Sequence, residues 1–318
     1  MIGGYDIYIY SELYEMSLNQ LNEIIIFEPG FVLYYKLLKL FSDDRAFMIF
    51  ISSLVVLGLY MYILKKLSLW FYFSLFIFFC KFFLMSFVYI RQGVAMVVCL
   101  LGLYYLIKQK RLYAIVIIIS SIFFHKSAII FLPFVFVANF KFSYLQILFL
   151  GTIIMVFGSS FLGAVLVDSI GNAIENEKLI KYASKSGTIN IFYAIEGLLV
   201  LILSFSFRNR FYHTKENVII FNGILFYGFI ILFSVANATF VRLSWYYFIF
   251  VCLGLPIIFI KIRNIKLRSL FYNLVFVYYA LLFFRLLVLY DGGDFTPYKS
   301  IFQDFERNGR WEDREYRS

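Results

Sequence analysis

The sequence predicts an all-α polytopic membrane protein with about eight full spans and a re-entrant or broken helix pair. Three observations carry that fold class. First, 63% of the 318 residues are apolar and 15% are charged, with a mean hydropathy of +0.85. A soluble domain is roughly half apolar and a quarter charged, so lipid is the solvent this surface needs. Second, the apolar residues fall into runs near the roughly 20 residues that cross a bilayer. Third, the formal charge of +10 is gathered in short clusters between those runs, as in cytoplasmic loops, which argues against a nucleic-acid partner.

The candidate runs are 46–64, 67–90, 91–107, 112–138, 143–167, 191–207, 218–236, 238–260 and 269–289. They define a transmembrane domain over 46–289. It is flanked by an N-terminal segment, 1–45, with a short amphipathic stretch from Phe31 to Phe41, and by a polar C-terminal tail, 290–318. Cys80, Cys99 and Cys252 all lie inside apolar runs, so no disulfide framework or metal-ligand spacing is expected. The start of the chain shows no basic stretch leading into an apolar one, so no cleavable signal is expected.

Orientation follows from the basic clusters. Lys65-Lys66, Lys108 to Arg111, Arg208 to Lys215 and Lys261 to Arg268 read as cytoplasmic. Both termini carry an acidic excess and read as periplasmic. Between the second and third clusters the number of crossings must then be even, yet three apolar runs lie there. The run 112–138 resolves the conflict, because Phe123-Phe-His125-Lys126-Ser127 sets polar groups at its middle. Split there, it enters and leaves on one side, with His125 at a deep turn. A break at Gly158-Ser-Ser is the competing solution.

On this topology Arg91, Glu196, Arg242 and Arg285 fall near the periplasmic ends of spans and His125 with Lys126 at the turn, while Lys81 alone sits near mid-span. Ionisable groups in spans are costly and usually face an interior or a cavity. Arginines on the face where basic residues are not favoured point to a cationic pocket opening outward. Each residue also has a plainer reading. Arg242 and Arg285 could snorkel to head groups, Glu196 could pair structurally with one of them, and His125 could satisfy a helix break.

Several short motifs, in order, resemble the EpsG family of Wzy-type polysaccharide polymerases. They are Gly4-Tyr5-Asp6, Glu28-Pro29-Gly30-Phe31, Ile90-Arg91-Gln92-Gly93, Phe124-His125-Lys126-Ser127, Val241-Arg242-Leu243-Ser244 and Pro297-Tyr298-Lys299-Ser300. Family members usually carry a membrane helix ahead of the Gly-Tyr-Asp segment, and this sequence opens at that segment. The resemblance implies a glycosyltransferase of the class C kind in a bacterial inner membrane, with its active site facing the periplasm. Donor and acceptor would both be glycans linked to undecaprenyl pyrophosphate, in contact with membrane lipid, with a chain-length regulator as a conceivable further partner. No cofactor and no metal are implied. Arg91, Arg242 and Arg285, assisted by Lys299, would hold the pyrophosphate, since a guanidinium fork matches its oxygens. His125, Glu196, Asp6 and Glu28 are the candidate general bases. Tyr298 and Tyr290 would meet sugar rings. An O-antigen ligase, a flippase of the lipid-linked unit and a membrane acyltransferase are the rival functions. The modest 168–190 loop speaks against the ligase. The lack of a mid-bilayer charge set speaks against the flippase, and the absence of an early His against the acyltransferase.

Overall fold

The computed structural model of the protein describes residues 5–16, 27–159, 190–235 and 240–289, and every described element is helical. In chain order these are α1 (Tyr5–Glu15), α2 (Pro29–Lys39), α3 (Arg45–Leu67), α4 (Phe71–Val88), α5 (Ile90–Ile107), α6 (Arg111–Ile122) and α7 (Lys126–Val137, opening as a 3-10 helix). Then follow α8 (Tyr144–Ser159), α9 (Ile191–Phe211), α10 (Lys215–Phe233), α11 (Val241–Lys261) and α12 (Ile265–Leu289). Seven of them, α3, α4, α5, α9, α10, α11 and α12, are long and apolar enough to cross a membrane, which makes this a multi-pass membrane protein. The run 143–167 is helical as far as Ser159, and its remainder lies outside the described residues.

Helix ends follow local chemistry. α3 starts behind Asp44, whose side chain accepts from the Ala46 N–H, and stops at Ser68. There the Ser68 hydroxyl takes the Trp70 N–H and meets the Ser74 hydroxyl, so the next span begins at Phe71 rather than Leu67. α4 contains a π-helical turn, Phe79–Phe83, with Lys81 inside it.

The chain divides into two compact units. The first comprises Met1–Tyr104, Leu112–Ile129 and Ile262–Ser318. In it α12 lies along α4 through an aromatic ladder, Trp70–Tyr272, Phe76–Phe276 and Phe79–Phe283, at centroid separations of 4.4–5.4 Å. The N-terminal segment contains a helix the sequence pattern does not announce. α1 buries a short stripe, Ile7, Tyr10 and Tyr14, and is held by further tertiary contacts: Tyr35 donates to the Tyr10 carbonyl, Tyr14 to the Ser42 carbonyl, and Arg45 pairs with Glu15 at 3.3 Å.

The second unit comprises Tyr105–Arg111 and Ile130–Lys261. Its core is α10 and α11, both buried over most of their length. α9 packs on α10 where Gly197 and Gly228 face each other. A Cβ at Gly197 would come within 2.8 Å of Leu232, and one at Gly228 within 2.9 Å of Leu201, so the two backbones approach as small residues allow in membrane helices.

The polar middle of 112–138 breaks the helix, as the parity argument requires. Ser120 and Ser121 turn their hydroxyls back onto the Ile117 and Ile118 carbonyls. That competition for carbonyls bends and ends helices. α6 stops at Ile122, and α7 restarts at Lys126. The chain also returns toward basic neighbours. Arg111 at the start of α6 lies over the Phe136 ring near the end of α7, 5.3 Å from its centroid. Beyond α7, Asn222 donates to the carbonyls of Val137, Ala138 and Phe140, and Arg208 donates to that of Phe142. Arg210 caps the Lys261 carbonyl. Arg111, Arg208, Arg210 and Lys261 thus mark one end of this unit.

Candidate functional site

Three of the sequence motifs meet at the carboxylate of Glu28. Glu28 is the N-cap residue of α2, in extended conformation, with Pro29 setting the first helical φ. Its side chain does not cap its own helix. One oxygen, Oε2, accepts from Arg91 Nη1 at 3.0 Å. The other, Oε1, accepts from the Lys126 N–H at 3.0 Å and lies 3.2 Å from His125 Nδ1. Gly30 completes the junction by donating its N–H to the Phe123 carbonyl at 2.9 Å. A Cβ there would stand 2.7 Å from that same carbonyl oxygen, so glycine is what lets α2 meet the turn before His125. Phe31, fully buried, anchors α2 in an aromatic cluster with Tyr35, Phe27 and Tyr10 at 4.6–5.9 Å.

Helix register explains why Glu28 reaches both partners. α6 runs back along α5, with Ile118 against Gly102 and Ser121 against Cys99 Sγ at 3.1 Å. From Cys99 to Arg91, α5 climbs about 12 Å further at 1.5 Å per residue, while α6 ends one residue beyond Ser121. The carboxylate fills the step between the top of α5 and the shorter α6. Arg91 lies in the first turn of α5, where a cation opposes the helix dipole. Glu28 offsets that cost, and the guanidinium lies 4.8 Å from the centroid of the Phe27 ring.

The electrostatics assign distinct roles. Glu28 is 7% exposed. Burial disfavours its charged form, but the hydrogen bonds from His125 and the Lys126 N–H, with the charge of Arg91, outweigh it and hold the carboxyl down at about 2. An ionised carboxylate only accepts, so His125 Nδ1 carries a proton. In the neutral ring Nε2 is then the proton acceptor, and among the described residues it has no protein partner. This is the carboxylate–imidazole arrangement that prepares a general base. Arg91 Nε is buried without a hydrogen-bond partner. The fork expected to face a pyrophosphate is therefore turned in part onto Glu28.

The other expected site residues are placed as follows. Arg285 is half-buried on α12 in the same unit, outside the Glu28 cluster. Glu196 and Arg242 belong to the other unit, on α9 and α11. Glu196 is buried and accepts a hydrogen bond from the Tyr227 hydroxyl. Asp6 lies on α1, and its side chain is outside the described residues, as are Tyr290, Tyr298, Lys299 and residues 168–189 of the 168–190 loop. Among the described residues no three His, Cys, Asp or Glu side chains gather as metal ligands would. Lys126, which the sequence sets at the turn beside His125 without giving it a role, holds Glu28 through its amide and has an exposed side chain. The signal was its place directly after His125.

Fold and cluster together define a multi-pass helical membrane protein with a buried polar centre assembled from distant parts of the chain. The chain belongs to the EpsG family, whose family model matches residues 2–300. That family is linked to exopolysaccharide biosynthesis. No curated protein and no solved structure matches the chain.

Proposed function

We propose that the protein polymerises polysaccharide repeat units carried on undecaprenyl pyrophosphate, at the periplasmic face of a bacterial inner membrane. The observation that carries this reading is the convergence of Glu28, Arg91 and His125, each from a different family-like motif, on one carboxylate. In the reaction, His125 Nε2 takes the proton of the acceptor hydroxyl. The freed oxygen bonds to the anomeric carbon of the donor's reducing-end sugar, and the bond from that carbon to the pyrophosphate oxygen breaks. Undecaprenyl pyrophosphate leaves with the bonding pair. Glu28 holds the imidazole in the productive tautomer and stabilises it once protonated, as an orienting carboxylate does. Its own low proton affinity makes it a poor base for this step. Arg91 fixes the carboxylate. Arg242, Arg285 and Lys299 remain candidates for holding the phosphates, and Tyr290 and Tyr298 for meeting the glycan.

The test is deletion in the native strain, with the polysaccharide resolved on a gel. Loss of a polymerase leaves a single repeat unit on its carrier or final acceptor. A ligase deletion leaves lipid-linked polymer untransferred, and a flippase deletion stops export altogether. Either of those patterns overturns the proposal.

A further inference from the structure

We infer that Lys126 is the cation that receives the pyrophosphate of the lipid-linked substrate, while Arg91 serves as a positioning residue for the Glu28–His125 pair. This rests on the glycosyl-transfer reading above and assigns the anion subsite within it.

Occupancy is the first argument. Arg91 is 17% exposed, gives Nη1 to Glu28, keeps Nε buried and stacks on Phe27. Lys126 is held only through its backbone, by the 3.0 Å bond from its N–H to Glu28 Oε1. Its side chain is exposed, and among the described residues its ammonium has no carboxylate or carbonyl partner.

Charge gives the second argument. Glu28 is held ionised, so the segments that meet at it bring one negative group and two positive ones, Arg91 through its guanidinium and Lys126, whose backbone amide holds Glu28 while its side chain is exposed. Arg91 neutralises Glu28, and the surplus positive charge sits on Lys126.

Depth gives the third. α6 has 12 residues. It therefore rises about 18 Å from its basic start into a hydrocarbon core about 30 Å thick. An ammonium at that level costs a few kcal/mol unless water or an anion meets it. A polyprenyl pyrophosphate presents a doubly charged group at the end of a lipid chain, which suits a cation set below the interface.

Geometry gives the last. His125 and Lys126 are pinned to the same oxygen, Oε1. The base for the acceptor hydroxyl and the backbone that carries the cation for the leaving group are thus fixed side by side. A flexible stem with a compact charge can follow the pyrophosphate as it departs, which a guanidinium locked to Glu28 cannot.

The test uses the full chain in nanodiscs of zwitterionic lipid, titrated with undecaprenyl pyrophosphate. Wild type should bind, Lys126→Met should weaken binding about ten- to a hundredfold, and Lys126→Arg should recover most of it. Thermal midpoints should stay near wild type, because the Lys126 side chain is exposed and makes no hydrogen bond or ion pair among the described residues. The same titration in discs rich in phosphatidylglycerol separates two sources of phosphate. If anionic phospholipid abolishes undecaprenyl pyrophosphate binding, the subsite is a head-group site and the inference falls. A folded Lys126→Met that binds like wild type also overturns it. If Lys126→Met loses binding while His125→Asn polymerises normally, the anion subsite stands and the glycosyl-transfer reading fails.

Discussion

The molecule buries two carboxylates in different ways. Glu28 accepts from a guanidinium, an imidazole and a backbone amide, supplied by segments 63 and 97–98 residues away. Glu196 accepts from the hydroxyl of Tyr227 on the adjacent helix, beside the Gly197–Gly228 contact. The first arrangement makes a charged, oriented group and leaves an imidazole nitrogen without a protein partner among the described residues, next in sequence to the exposed side chain of Lys126. The Tyr227–Glu196 bond is interhelical hydrogen bonding of the kind that joins membrane helices, worth under about 1 kcal/mol on average. A buried acid in a membrane protein therefore marks chemistry by the company it keeps rather than by being buried.

That contrast can be broken most readily at Glu28. Glu28→Gln should reduce polymer formation about a hundredfold or more, because the amide no longer enforces the Nδ1–H tautomer. It should also destabilise the protein by about 3 kcal/mol or less, since it leaves the partly buried Arg91 without its counter-charge. The pH dependence has a definite sign. A carboxyl lowered to about 2 contributes stability that is complete above its unfolded value, about 4.3. The stability advantage of wild type over Glu28→Gln should not decline from pH 8 to 5. It should then shrink as pH falls through about 4 toward 2. An advantage that already declines between pH 7 and 5 would remove the ionised carboxylate from the account.

Gly30→Ala should have the next largest effect. The added Cβ meets the Phe123 carbonyl oxygen at 2.7 Å, so α2 and the turn before His125 must separate. Overpacking of this kind costs about 1–3 kcal/mol, and the shift displaces Glu28 from His125. Activity should fall well beyond what protein abundance explains, measured as polymer per unit of membrane-inserted protein. The smallest effect belongs to the other carboxylate. Glu196→Gln and Tyr227→Phe should each retain polymer formation within about threefold of wild type, with stability changed by about 1 kcal/mol or less. Loss of activity in Glu196→Gln at normal abundance would erase the distinction between the two sites.

The sequence made the fold legible where a single segment carries the signal. Apolar runs, terminal basic clusters and the serines and histidine at 120–125 are local, and the helices and the break follow them. α1 was not legible, because its apolar period is only three residues long, Ile7, Tyr10 and Tyr14, two of them tyrosines, and contacts from Tyr35, Ser42 and Arg45 supply the rest of its hold. Arg91 and His125 stood out as charges out of place. Their joint bond to Glu28 did not, since no periodicity connects residues 28, 91 and 125. Tyr227 was hidden for another reason: one tyrosine among 26 in an apolar helix carries no mark of its partner.

The central claim is that Glu28 and His125 act as one unit. A double-mutant cycle on the initial rate of polymer formation tests it directly, using lipid-linked repeat units from the native strain and protein reconstituted at equal amounts. Groups that act as a unit are strongly non-additive. Glu28→Gln/His125→Asn should be no slower than His125→Asn alone, because the carboxylate has nothing to orient once the imidazole is gone. Multiplicative losses in the double variant would contradict it, since the two side chains would then be contributing to the reaction independently.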